Sequence, residues 1–254
     1  MSPIEIVALA VAAFFAGAVN AVAGGGTLIA FPALLAIGYP AKIANVTTTL
    51  SVLPGTLGGS LAYRAEIARQ WRTIRAIIPS LVLGTIVGSA LLLLTPDSTF
   101  DWVVPFLIYG ACGLLLLQDK LLARFFKGER SVEHGAGLLI LRLGVFAVAV
   151  YGGYFGAAMG IMMLALFGLV LPADIQHANA LKGLCALAIN CVAAVYFALF
   201  ADVAWEAAAV MAVTSLAGGY IGVSIARRLP RKQLRAFAAV YGAVAATVLL
   251  ARNF

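Results

Sequence analysis

Residues Ala16–Gly38 read AGAVNAVAGGGTLIAFPALLAIG. An apolar run that begins at Ile4 reaches about Val22 and is then cut by the triplet Gly24-Gly25-Gly26. The next piece, Thr27 to Gly38 with Pro32 inside it, is apolar again but short. A helix rises about 1.5 Å per residue and a membrane span needs about 20 apolar residues, so this piece reaches only about two thirds of the way across. Glycine lets the chain break and reverse, and it leaves backbone N–H groups uncovered. In lipid, such groups must face protein or a wet cavity. The stretch therefore predicts a broken helical hairpin held inside a membrane protein.

The composition points the same way. Of 254 residues, 63% are hydrophobic and 11% charged, with a mean hydropathy of +1.05. A soluble domain is about half apolar and about a quarter charged. A chain this apolar cannot cover a water-facing surface, which excludes a soluble enzyme, a nucleic-acid binder, a disordered linker and a disulfide scaffold. The net charge of +7 is read as Lys and Arg flanking the cytoplasmic ends of helices, not as a nucleic-acid footprint. Cys112, Cys185 and Cys191 all lie within apolar runs. They are read as buried structural thiols, and no metal or cofactor is expected. Met1–Glu5 has no basic n-region, so the first run is read as a membrane element and not as a signal peptide.

Outward from the glycine break, apolar runs alternate with short polar joints. They cover about Ile43–Tyr63, Ile74–Leu94 and Trp102–Leu117, and then a charged linker intervenes. The pattern resumes at about Leu138–Phe155, a short Ile161–Leu171, Ile175–Phe200, Trp205–Ala226 and Leu234–Leu250. A shift of 134 residues pairs Gly26 with Gly160, Asn45 with Asn179, Trp71 with Trp205, Gly84 with Gly218, Gly88 with Gly222 and Pro96 with Pro230. Trp is the costly match, because the chain has only three. The chain is read as a duplication: residues 1–118 form a first membrane repeat, 119–137 a cytoplasmic linker and 138–254 a second repeat.

Charge orients the two halves. The joint from Arg64 to Arg75 carries Arg64, Arg69, Arg72 and Arg75, whereas its mate carries Asp202 and Glu206 and no base. Conversely, the joint at Asp97 and Asp101 has no base, and its mate holds Arg227, Arg228, Arg231, Lys232 and Arg235. Basic short loops stay in the cytoplasm. The expected fold is an all-α polytopic membrane protein of two inverted-topology repeats, each a glycine-broken helical hairpin plus three transmembrane helices. Inverted repeats with broken helices are a recurring transporter architecture. The basic linker is placed inside, which puts both termini on the outer side.

All ten acids lie at element ends or in joints. That argues against a carboxylate proton relay and against an acidic cation filter. Lys182 is different, because it lies within the run from Ile175 to Phe200, about a turn after Asn179. A charge inside a span is by default a functional hypothesis, although Lys182 also lies near enough to the cytoplasmic end to snorkel. Its repeat mate is Thr48. Helix N-termini at the breaks, with free N–H groups and a positive dipole end, suit an anion. Close packing by small residues is the better reading for Gly84-x3-Gly88 and Gly218-x3-Gly222. Polar side chains gather near the breaks: Asn20, Thr27, Asn45, Thr47, Thr48, Thr49 and Ser51 in the first half, and His177, Asn179, Lys182 and Asn190 in the second. Single Ser and Thr residues in membrane helices usually bond back to their own backbone. The run Asn45-Val-Thr-Thr-Thr presents donors on more than one face.

Ala16–Gly38, together with PAKIANVTTTLSVLPGTLGGSLAYR (Pro40–Arg64), resembles the TauE/SafE family, the sulfite exporter or toluenesulfonate-uptake permease family. The glycine-rich break, the Pro after it, the Ala-Asn-x-Thr-Thr and the Gly-Gly-x-x-x-Tyr-Arg ending carry the likeness. The second-half break, YGGYFGAAMGIMM (Tyr151–Met163), lacks the glycine triplet. The resemblance implies a bacterial inner-membrane transporter of sulfur-containing anions such as sulfite or small organosulfonates. It also implies site residues at Asn20, the turn Gly24, Gly25, Gly26 and Thr27, and Asn45 and Thr48.

The leading expectation is a secondary transporter or facilitator for a small sulfur-containing anion, working by alternating access. Its site would lie near mid-membrane, with charge from Lys182 and donors from the N–H groups of Gly25, Gly26 and Gly160 and from Asn45, Thr48 and Asn179. The alternative is a channel or transporter for another small anion or a neutral metabolite, if Lys182 snorkels. An intramembrane enzyme is not expected, since the chain has no HExxH, no paired aspartates in its spans and no Ser/His pair. The expected partners are the substrate and the lipid bilayer, and small-residue faces at Gly84/Gly88 and Gly58/Gly59 leave a homodimer open.

Overall fold

A computed structural model describes residues 1–23, 25–61, 70–125, 134–171, 175–226 and 231–252. Among them are ten α-helices and no strand. In chain order they are α1 (Pro3–Ala23), α2 (Thr27–Ile37), α3 (Ala41–Leu61), α4 (Trp71–Leu94), α5 (Asp97–Phe125), α6 (His134–Tyr154), α7 (Met159–Val170), α8 (Ile175–Phe200), α9 (Trp205–Ala226) and α10 (Arg231–Arg252). Five helical segments among the described residues are long and apolar enough to cross a membrane: Pro3–Asn20, Trp71–Leu94, Asp97–Phe125, Gly137–Tyr154 and His177–Phe200. The chain is an all-helical polytopic membrane protein.

The two short helices, α2 and α7, fall where the glycine breaks place them. Gly38 ends α2 at φ 103°, with its N–H turned back to the carbonyls of Leu34 and Leu35. A left-handed glycine at a helix C-terminus satisfies carbonyls that have no partner within the helix. The charged segment after residue 118 is less of a linker than its composition suggests. Asp119–Phe125 continues α5, and α6 starts at His134. No Gly or Pro falls between Asp119 and Phe125, so nothing stops the helix, and Arg235 holds Asp119 from α10 at 2.6 Å.

Packing interleaves the halves. The most extensive helix contacts are α1 on α9 and α4 on α6, and the 134-residue shift converts one of these pairs into the other. Glycines permit both. A Cβ on Gly17 would overlap the Ser215 carbonyl, and one on Gly218 the Phe14 carbonyl. A Cβ on Gly84 would lie 2.6 Å from the Phe146 carbonyl oxygen, and one on Gly88 would overlap that of Val150. Small residues let backbones approach in this way when lipid offers no hydrophobic drive to associate. The same shift relates α3 on α9 to α8 on α4, and α5 on α7 to α10 on α2.

The contacts also sort the helix ends. At one end, the N-terminal amine lies 3.8 Å from Glu206, Lys42 lies 2.6 Å from Asp97, and the Ala204 N–H donates to Thr47 Oγ1. At the other, Gln70 Nε2 donates to the His177 carbonyl, Arg142 Nε to that of Ala76, and Arg235 pairs with Asp119. Helices α4 and α5 separate the two ends. Arg72, Arg75, Arg124, Arg142 and Arg235 therefore gather at the second end. Arg64, Arg69, Arg227 and Arg228 lie outside the described residues.

Candidate functional site

The first break is tight. Gly26 starts α2 without a side-chain cap. A Cβ there would overlap the Ala16 carbonyl and lie 2.8 Å from Asn20 Cβ, so Gly26 sits directly on the last turns of α1 beside Asn20. Gly25 is buried against Leu115 of α5. Thr27 is half-buried at the first position of α2. Gly24 lies outside the described residues.

The second break has no glycine triplet and turns through left-handed backbone. Gly156 takes φ 77° and Ala158 takes φ 61°. The Tyr151 hydroxyl donates to the Ala157 carbonyl at 2.7 Å and pins the turn. Ala158 starts α7, again without a side-chain cap. Phe155 from this turn meets Phe31 of α2 edge-to-face at 5.6 Å, both rings buried, which brings the second break onto the first half's short helix.

Lys182 lies on α8 beside the start of α7. Its Cδ, Cγ and Cε come within 3.3, 3.7 and 4.0 Å of the point where Gly160 would carry a Cβ. A Cβ at 160 would make the lysine stem shift by a few tenths of an ångström. Asn179, half-buried, is one turn earlier on α8.

The polar run of α3 divides cleanly. Thr49 Oγ1 donates to the Asn45 carbonyl, and Ser51 Oγ to that of Thr47. Thr47 Oγ1 accepts the Ala204 N–H at 3.2 Å. These three side chains serve the scaffold. Asn45 and Thr48 are different: each is only 1% exposed, and Asn45 Oδ1 and Thr48 Oγ1 have no hydrogen-bond partner. The Asn45 amide nitrogen donates to the Tyr154 carbonyl, at the end of α6, at 2.9 Å.

The residues singled out in the sequence thus form three groups: Asn20 with Gly26, Gly160 with Lys182, and Asn45 with the second break. Tyr154 and Tyr151 are not among the residues that the sequence singles out. The repeat carries a signal for Tyr154, since the 134-residue shift pairs it with Asn20. For Tyr151, paired with Gly17, there is none.

An all-helical chain with five helical segments among the described residues long and apolar enough to cross a membrane, and two short helices that each follow a turn within a hairpin, is a multi-pass membrane protein. A sequence profile described as Sulfite exporter TauE/SafE matches residues 9–249. The chain is 32% identical over 216 residues to a probable membrane transporter protein of Haemophilus influenzae, covering 84% of this chain and 81% of the relative. It is 24% identical over 251 residues to the probable membrane transporter protein YfcA of Escherichia coli, covering 98% and 91%. A probable membrane transporter protein of a Sinorhizobium species is 24% identical over 245 residues, covering 96% and 91%. The chain belongs to the TauE/SafE family of membrane transporters.

Proposed function

We propose that this transporter moves a small sulfur-containing anion, sulfite or an organosulfonate, across a bacterial inner membrane by alternating access between two inverted repeats. The observation that carries this reading is the Lys182 stem laid along Gly160 at the uncapped start of α7. The lysine adds its charge near a helix N-terminus that itself behaves as roughly half a positive charge. An anion held between them is attracted by both, and N–H groups at the turn give it directional donors. A sulfonate, with three acceptor oxygens on one sulfur, can use several such donors at once. Asn20 and Thr27 at the first break, and Asn179 beside Lys182, complete the polar lining in this proposal. The gathering of arginines at one end supports a cytoplasmic assignment for that end, which leaves both termini outside.

Thermal unfolding of the detergent-purified protein tests this against sulfite, sulfate, thiosulfate, sulfoacetate, isethionate and taurine, with acetate and chloride as controls. A ligand at a hundredfold its Kd stabilises the folded state by about 2.7 kcal/mol. One sulfur anion should raise the Tm selectively. Lys182→Ala should abolish that shift and Lys182→Arg should keep part of it. A well-folded protein that responds to none of the sulfur anions sinks the substrate assignment.

A further inference from the structure

Of the unpartnered atoms of α3, Asn45 Oδ1 has the wrong sign for an anion. Tyr154 offers a backbone carbonyl, which can only accept, so the Asn45 nitrogen must be the atom facing it. The amide orientation is thereby fixed, and the buried atom left over, Oδ1, is an acceptor. Thr48 comes three residues later on the same helix face and leaves a hydroxyl oxygen, also buried and unpartnered. The amide oxygen repels an anion and attracts a cation, and the Thr48 hydroxyl, which can accept as well as donate, can offer a cation a second oxygen. Buried polar atoms left without a partner carry a desolvation cost, which a ligand would relieve.

We propose that Asn45 Oδ1 and Thr48 Oγ1 form a subsite for a small monovalent cation, next to the second helix break. In transporters with broken helices, coupling cations are held by backbone carbonyls and helix C-terminal ends, and Asn45 lies against such an end at Tyr154. No carboxylate supplies the counter-charge: among the described residues, the acids lie at helix ends and outside α3. The anion itself is then the counter-charge, so each ligand strengthens the binding of the other by the same factor. This inference rests on the anion reading above for its partner charge. The cation has two sources, a free sodium ion that would serve as coupling ion, or the ammonium end of a zwitterionic sulfonate.

The test is the Tm of the detergent-purified full chain at constant ionic strength. One arm replaces choline chloride stepwise by sodium chloride. A second arm, in choline salts, compares taurine with ethanesulfonate, which lacks the ammonium group. A saturable rise with sodium identifies the ion, and a preference for taurine without sodium identifies the ammonium. In either case Thr48→Val, which keeps the shape and removes the hydroxyl, should weaken the response about tenfold, or about 1.4 kcal/mol. Thr48→Ser should retain it. Sodium should also tighten binding of the sulfur anion in wild type. A melt indifferent to sodium, with no taurine preference, overturns the subsite, because a water molecule would satisfy the same atoms without cation dependence. So does a response undiminished in Thr48→Val. A sodium response that survives while every sulfur anion fails would retain the subsite and discard the anion.

Discussion

Ala158 holds a backbone conformation that costs an L-residue energy. It is the described non-glycine residue with positive φ, at 61°, and the 134-residue shift places it opposite Gly24. A left-handed conformation costs an L-residue with a Cβ about 1–2 kcal/mol. Ala158→Gly removes that cost but adds freedom to the unfolded chain. The expected net result is a gain of up to about 1 kcal/mol, or roughly 2–4 °C in Tm, read by thermal unfolding in detergent. A lower Tm would mean that the Ala158 methyl, which is buried, contributes more packing than its backbone loses. Asn45 makes the complementary point. Its type and place in the Asn-Val-Thr-Thr-Thr run are visible in the sequence, but the direction of its amide is not. The carbonyl that sets that direction lies 109 residues away in the chain.

Helix crossings separate glycines that are needed from glycines that are not. Gly88 of α4 lies so close to Val150 of α6 that a methyl overlaps its carbonyl, and backbone cannot swing aside as a side chain can. Gly88→Ala should cost about 1–3 kcal/mol, the usual range for overpacking. Gly110 and Gly113 of α5 have nothing within 4 Å of an added Cβ. Alanine at either position should be neutral or gain about 0.5–1 kcal/mol from helix propensity. Measuring the three variants together checks the crossing directly, and equal effects would contradict it. At the mouth of α3, Lys42 Nζ bonds the Thr95 carbonyl, at the end of α4, as well as the Asp97 carboxylate, each at 2.6 Å. Asp97 is largely exposed and Lys42 is not. Asp97→Asn should therefore cost under about 1 kcal/mol, and Lys42→Met should cost more, since it also leaves a helix-end carbonyl without its donor. The element boundaries of the hairpins are legible because glycine and proline act locally. The continuation of α5 to Phe125 is not legible from charge, because a helix end in water tolerates charge as readily as a loop does.

For the whole molecule, the interleaving of halves has a direct consequence. Because α1 lies on α9 and α6 on α4, residues 1–118 and 138–254 each lack the partner for their own hairpin arm. Either piece expressed alone should fail to accumulate as a folded membrane protein. The two expressed together should assemble, as shown by co-purification through a tag on one piece. Independent folding of either half would refute the interleaving. The opposed ends give a second check: single cysteines at Glu206 and Arg124, in a cysteine-free background, should label from opposite faces of the membrane.

The sequence by itself determined that the chain lives in lipid, that it is helical and where its hairpins break. Each of these comes from composition, from local backbone freedom or from spacing along the chain, and needs no knowledge of what touches what. Only the tertiary structure decided which polar groups of α3 are used up. Thr47 is occupied by an N–H 157 residues away, and the Ser51 carbonyl takes the Ser215 hydroxyl from 164 residues away. The same long-range contacts leave Asn45 Oδ1 and Thr48 Oγ1 over and lay Lys182 on Gly160. A hydrogen bond within a membrane is set by whichever donor and acceptor packing brings together, and packing between distant segments leaves no periodic mark in either one.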